Sequence, residues 1–300
     1  MHARPATRAR HLLVVVLATV GLIAGGSPAL ATPGGASPDG VRHAEGRGPG
    51  HDANLRGRTY LALGDSVPFG FRPDQPPEVY ADPENFVGYP ELVAEDWHLR
   101  LLNASCPGET TASFIDATAQ SNGCQNRLGS DVGYRDQSPL HVDYAGSQLD
   151  YAVEVLEEEP KVRLVTLQIG ANDAFLCLQT GACGTPEDIQ ALAAQVGQNM
   201  DRILSTLREE AGYTGRIAVV TYYALDYTDP VPTQVLNAAL AAAATANEAV
   251  VADGFAAFAP RALAAGGSSI AAGLVIPGDV HPTEEGQRLL ATAVQQAVGH

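Results

Sequence analysis

A parallel α/β sheet covered by helices on both faces is the fold class this sequence predicts. Short apolar runs that stop at glycine or a polar turn residue read as buried strands. Stretches with helical apolar spacing lie between them, and that alternation favours a parallel sheet over a sandwich or a bundle. Composition agrees: of 300 residues, 45% are hydrophobic and 17% charged, a globular balance rather than a disordered or fibrous one. Length allows one or two domains.

In chain order, Tyr60–Leu63 is the first strand and ends at Gly64. Phe86 to Trp97 carries helical spacing, and Leu99 to Asn103 is the second strand. Leu149, Val153 and Leu156 share one helical face, and Pro160 stops that helix. Arg163 to Ile169 is the third strand. Thr185-Pro186-Glu187-Asp188 starts a helix with a capping threonine, a proline in the first turn and acids at the positive end. Ile189, Leu192, Val196, Ile203 and Leu207 continue it as one stripe. Arg216 to Tyr222 is a strand, Gln234 to Ala249 an alanine-rich helix, and Val250 to Ala252 a short strand. Glu284 to Val298, capped by Thr283, closes the chain as a helix.

The first 31 residues read as a secretory signal. Arg4, Arg8 and Arg10 form a positive head, and Leu12 to Ile23 is too short an apolar stretch to span a bilayer comfortably. Ala29-Leu30-Ala31 offers small residues for cleavage after Ala31. A membrane anchor is the rival reading. Residues 32–57 read as a Gly/Pro-rich linker with little to bury. Gly46, Gly48 and Gly50 follow no strand and are not a dinucleotide fingerprint. Residues 58–300 remain for one large core, with no internal repeat. A secreted, extracellular monomer without stable membrane insertion is expected.

The net charge of -16 opposes nucleic-acid binding and adhesion to anionic lipid. Removing the leader takes away three arginines and no acid, which leaves the chain more acidic still. The single lysine, Lys161, supplies neither a basic stripe nor a phosphate-loop lysine. Four cysteines suit an exported protein and allow three pairings. The local pairs Cys106–Cys124 and Cys177–Cys183 are expected. Zinc is the rival use, but there is no CxxC pair or HExxH helix, and the eight histidines are scattered. No metal or organic cofactor is expected.

Sites in parallel sheets form where loops leave the carboxyl ends of strands. After the first strand stand Gly64-Asp65-Ser66, and after the second Ser105-Cys106-Pro107-Gly108. After the third come Gly170-Ala171-Asn172-Asp173, and before the last helix Asp279-Val280-His281-Pro282. Ser66 is a nucleophile if a base activates it, and His281 is the histidine placed to do so. The backbone N–H groups of Ser66 and Gly108, with the Asn172 amide, can donate to an oxyanion. Each block alone has an ordinary explanation. Gly-Asp-Ser is a common turn, Gly108 can serve a turn by a disulfide, Asn172 and Asp173 can cap a helix, and His281 can pack. Their joint placement at successive strand ends is what points to acyl transfer.

These four blocks resemble those of the SGNH/GDSL hydrolase family of esterases and lipases. The matching stretches are Leu63 to Ser66, Asn103 to Phe114, Gly170 to Asp173 and Asp279 to Thr283. The resemblance spans about residues 58–298. It implies a flavodoxin-like three-layer α/β/α sandwich with about five parallel strands. It also implies Ser66 as nucleophile, His281 as base, and Ser66, Gly108 and Asn172 around the oxyanion.

One feature departs from the family pattern, in which the triad acid stands three residues before the histidine. Here that position is Gly278, and Asp279 stands two before. Either Asp279 or a backbone carbonyl near Gly278 would hold the ring tautomer, and the register shift favours the carbonyl. The expected reaction is hydrolysis of an acyl ester through an acyl-enzyme on Ser66. The α/β-hydrolase alternative wants Gly-x-Ser-x-Gly, which is absent. Phe69, Phe71, Tyr80 and Phe86 can line an acyl pocket or fill the adjoining core. Ser121 to Gly146 reads as a loop over the site. A small-molecule or lipid ester is the first-choice substrate. The alternatives are O-deacetylation of a polysaccharide and a catalytically silent extracellular binding domain.

Overall fold

The structure is a computed structural model that describes residues 57–73 and 75–299. The expected leader, and the expected linker up to residue 56, lie outside the described residues. Five strands form one all-parallel sheet: β1 (Thr59–Gly64), β2 (Arg100–Asn103), β3 (Val162–Gln168), β4 (Arg216–Val220) and β5 (Val250–Ala252). Their order is β2-β1-β3-β4-β5, which is the flavodoxin-like order. All six residues of β1 are buried, and β3 is buried except at Arg163. Both strands are therefore apolar runs rather than alternating ones, as a sheet covered on two faces requires.

Nine α-helices complete the described fold: α1 (Ser66–Phe69), α2 (Tyr89–Trp97), α3 (Thr111–Ile115), α4 (Gln148–Glu158), α5 (Ala171–Thr180), α6 (Pro186–Ser205), α7 (Val231–Ala246), α8 (Gly254–Ala264) and α9 (Glu284–Val298). Helix α9 packs on α2, α8 and strands β4 and β5, whereas α6 packs on α7 and α3. The helix starts follow local chemistry. The Thr185 hydroxyl accepts from the Asp188 N–H, and the Asp188 carboxylate accepts from the Thr185 N–H, closing the cap of α6. Thr283 caps α9 through the Gly286 N–H.

The short helices α1 and α3 are not in the sequence reading, and three longer ones differ from it as well. The helix expected from Phe86 begins at Tyr89, because Gly88 is its cap, Pro90 sits in the first turn and Glu91 reaches back to the Gly88 N–H at 2.8 Å. Helix α5 follows the Gly-Ala-Asn-Asp block directly, where the site residues themselves form the first helical turn. Helix α8 carries Pro260 in its interior and forms around the fully buried Phe258. Among the described residues, no helix is long and apolar enough to cross a membrane.

The direction in which successive strands are added reverses at β1, which lies between β2 and β3. A crevice therefore opens beyond the carboxyl ends of these three strands, and ligands of such sheets lie there. The residues that leave those ends are the ones the sequence singled out.

Candidate active site

Gly64 ends β1 with φ +133°, and a Cβ there would lie 2.0 Å from the Gln168 carbonyl oxygen. Only glycine permits that approach. The Gln148 side chain grips the same residue, accepting from the Gly64 N–H at 2.6 Å and donating to its carbonyl at 3.0 Å. Asp65 is buried and caps α1, accepting from the Val67 N–H at 2.9 Å and from the Tyr222 hydroxyl at 2.5 Å. Burial pushes its carboxyl up to about 7 against the pull of those two bonds. Ser66, the first residue of α1, follows from this rigid exit and stays partly exposed.

The Ser66 Oγ lies 2.8 Å from His281 Nε2. The opposite ring nitrogen, Nδ1, lies 2.5 Å from Asp279 Oδ1. The expectation that a backbone carbonyl would hold the ring is corrected here. The reason lies in a tight hairpin. Ile276-Pro277-Gly278-Asp279 is a turn closed by the Asp279 N–H on the Ile276 carbonyl at 3.1 Å, with Gly278 at φ +79°. The Ile276 N–H returns to the His281 carbonyl at 3.0 Å. An aspartate two residues ahead can accept its own downstream backbone N–H, and Asp279 Oδ1 accepts that of His281 at 2.8 Å. The same oxygen then meets the ring, so the shorter spacing still brings acid and imidazole together.

Burial lowers the His281 pKa below the ordinary imidazole value, and the Asp279 bond and charge oppose the shift. Burial would raise the Asp279 carboxyl, but the His281 backbone N–H, ring bond and charge outweigh it and hold the pKa low. At neutral pH the ring is neutral and able to take a proton from Ser66.

Gly108 and Asn172 border the same cavity as Ser66 and His281. Gly108 has φ +85°, and a Cβ there would lie 2.7 Å from the Gly123 backbone. Among the described residues, neither the Ser66 nor the Gly108 backbone N–H has a hydrogen-bond partner. Asn172 sits in the first turn of α5 and is buried. Its Oδ1 accepts from Asn122 Nδ2 at 2.9 Å, which leaves its own N–H groups for the cavity. The neighbouring Asp173 clamps α5 to α3, accepting from the Thr111 N–H at 2.9 Å and hydroxyl at 2.5 Å. Asn122 is not one of the residues that the strand-end rule picks out. Its signal in the sequence is the Asn122-Gly123 pair, a turn dipeptide next to Cys124.

The cavity encloses about 620 Å³, within the usual size of a ligand pocket. Its apolar wall comes from α5, α6 and α7 through Phe175, Leu178, Ile189, Leu192 and Leu236. Of the four aromatic residues after the nucleophile, Phe71 alone lines it, with its ring 5.1 Å from that of His281. Phe69 and Phe86 are fully buried and pack with Cys106, Cys124 and Leu140 in a small second core, against which Tyr80 rests. From the expected loop over the site, Asn122, Gly123 and Tyr134 reach the cavity.

Cys106 is bonded to Cys124 and Cys177 to Cys183. Cys106 and Cys124 lie with Glu109 in one buried group, but the bond removes both sulfurs from the thiolate form that zinc requires. Burial pushes the Glu109 carboxyl up to about 7, opposed by bonds from Ser113, Gln125 and Gln148.

The model of the GDSL-like lipase/acylhydrolase family matches residues 62–289. No curated protein matches the chain. Among solved structures, a protein described as a GDSL-like lipase from Parabacteroides merdae is 14% identical, with TM-score 0.52, over 82% of this chain and 98% of its own. An acetylxylan esterase from Geobacillus stearothermophilus is 16% identical, with TM-score 0.50, over 82% of this chain and 95% of its own. At these identities the likeness is one of fold.

Proposed function

The chain belongs to the GDSL-like lipase/acylhydrolase family and is a carboxylic ester hydrolase, and on that premise we propose that it is an exported serine esterase for fatty-acyl esters. Ser66 attacks the ester carbonyl while His281 Nε2 takes its proton. Asp279 holds the proton on Nδ1 and balances the imidazolium that forms. The Ser66 and Gly108 N–H groups and the Asn172 amide stabilise the oxyanion. His281 then protonates the departing alcohol, and water, activated by the same histidine, cleaves the acyl-enzyme.

The observation that carries this reading is the apolar cavity of about 620 Å³ opening at the Ser66–His281 pair. An acetyl group would leave most of that wall facing water, whereas a longer acyl chain would cover it. Two disulfides and the arginine-headed apolar segment support export, with cleavage after Ala31.

The test is a chromogenic ester panel of increasing acyl length on wild type and Ser66→Ala, using protein recovered from the medium. Turnover per KM should rise from acetyl to medium-chain esters and vanish in Ser66→Ala, with Thr32 as the first residue of the secreted chain. A preference for acetyl esters would instead favour polysaccharide deacetylation, and retained activity in Ser66→Ala would remove the serine mechanism.

A further inference from the structure

Asn122 makes two contacts with the proposed oxyanion site. Its backbone N–H donates to the Gly108 carbonyl at 2.8 Å, and its side chain donates to Asn172 Oδ1 at 2.9 Å. Gly108 presses on the Asn122-Gly123 peptide so closely that a Cβ on Gly108 would lie 2.8 Å from the Asn122 carbonyl oxygen. One residue therefore touches the backbone that presents one proposed donor and the side chain that presents another. The Asn122 amide is itself oriented, because Gln179 Nε2 donates to its Oδ1 at 3.0 Å. An amide that accepts at Oδ1 must turn its N–H groups the other way, toward Asn172.

The turn that carries Asn122 is built to hold still. Asn126 Oδ1 accepts from the Ser121 N–H at 2.8 Å, and Ser121 Oγ accepts from the Asn126 N–H at 3.0 Å. The Gly123 carbonyl accepts from the Tyr134 N–H at 2.7 Å. Cys124 is bonded to Cys106, two residues before Gly108. The disulfide thus ties the Asn122 turn to the strand exit that bears Gly108.

We propose that Asn122 is the positioning residue of the oxyanion site: it fixes the Asn172 amide with its donor face toward the cavity and backs the Gly108 peptide, and the Cys106–Cys124 bond holds it in place. This rests on the reading of Gly108 and Asn172 as oxyanion donors. Preorganised donors help only if they are already aimed when charge develops. Losing the Asn122 contact should therefore lower kcat and spare KM.

The experiment is steady-state kinetics on one short chromogenic ester, with melting temperatures alongside. The proteins are wild type, Ser66→Ala, Asn172→Ala, Asn122→Ala, Asn122→Asp and the Asn122→Ala/Asn172→Ala pair. Asn122→Ala should lower kcat roughly tenfold with KM within about threefold. Asn122→Asp has the same shape but no donor. Its carboxylate would accept from Asn172 Nδ2, turn that amide around and bring kcat down roughly 10²-fold, to the level of Asn172→Ala. The double variant should be no slower than Asn172→Ala, because both changes remove one interaction. Wild-type kcat in Asn122→Asp, or a double-variant loss equal to the product of the single losses, overturns the proposal. Activity surviving in Ser66→Ala would instead overturn the nucleophile, and unchanged kcat in Asn172→Ala the oxyanion assignment. Should the Asn122 variants not fold, Gln179→Ala at an exposed position still decides the matter. It should cost roughly twofold to fivefold in kcat at constant KM, and no change in kcat overturns the proposal.

Discussion

Two disulfide-tied regions border the cavity, and they are built differently. The Cys106–Cys124 bond is fully buried, spans 18 residues, and sits in a small aromatic core beside Glu109, Gln125 and Gln148. Beside it the Glu109 carboxylate accepts from polar side chains at 2.5–3.3 Å, the Ser113 hydroxyl at the short end and the Gln125 amide at the long end. The Cys177–Cys183 bond spans 6 residues and joins the end of α5 to the approach to α6. Its surroundings are exposed, with Leu178 62% accessible while also lining the cavity. The first region brings the Gly108 backbone to the cavity, and the second brings the apolar side chain of Leu178. Directional chemistry needs the polar, buried construction, because a misaimed donor loses its value within a few tenths of an ångström. Apolar contact tolerates displacement, so a short staple near solvent suffices.

The largest expected effect lies at the hairpin that serves both regions. Asp279→Asn should remove the acceptor on His281 Nδ1, favour the wrong tautomer and reduce turnover roughly 10³- to 10⁴-fold on every ester. The residual activity should also rise with pH at a lower midpoint than in wild type. The anionic neighbour raises the His281 pKa, so its loss lets burial lower the value further. A modest loss at unchanged midpoint would show that Asp279 does not orient the ring. Next in size is a pair of changes that separates the regions. Asn172→Ala should lower kcat roughly 10²-fold at every acyl length. Leu192→Trp, on the α6 wall, should leave acetyl-ester turnover near wild type and lower medium-chain turnover per KM roughly tenfold. Equal losses at all chain lengths from Leu192→Trp would erase the distinction.

The smallest effects concern the bonds themselves. Replacing both Cys106 and Cys124 with serine should cost about 3 kcal/mol of stability, and replacing Cys177 and Cys183 about 2 kcal/mol, following loop length. Denaturant midpoints measure both. The kinetic consequences should diverge more than the stabilities do. Loss of the buried bond should depress kcat on short esters, and loss of the exposed one should alter chain-length preference alone. Identical kinetic profiles for the two double variants would reduce both bonds to stability devices.

Much of the site is legible in the sequence because it is local. Gly64-Asp65-Ser66 and Gly170-Ala171-Asn172-Asp173 each follow an apolar strand, and a parallel sheet brings strand ends together whatever the loops do. Thr185 and Thr283 announce their helices through bonds three residues long. Asn122 was out of reach, since its meaning depends on Asn172, fifty residues away in the chain. The apolar wall of the cavity is a similar case. The aromatic residues after Ser66 look like a pocket, but Phe69 and Phe86 find a lower free energy packed around a disulfide. Helices α5, α6 and α7 supply the wall instead.

The sequence by itself determined the alternation of strands and helices, the carboxyl-end residues, and the identity of the nucleophile and base candidates. Those follow from apolar periodicity and from turn and cap chemistry, which act over a few residues. Only the tertiary structure decided what His281 Nδ1 meets, which way the Asn172 amide faces and which apolar residues line the cavity. The hairpin at Gly278 shows why. Whether Asp279 or a carbonyl reaches the ring depends on the path between Ile276 and His281, and that path is closed by backbone bonds among residues 274–283. Spacing sets how far a side chain can reach, and the folded backbone sets the direction in which it points.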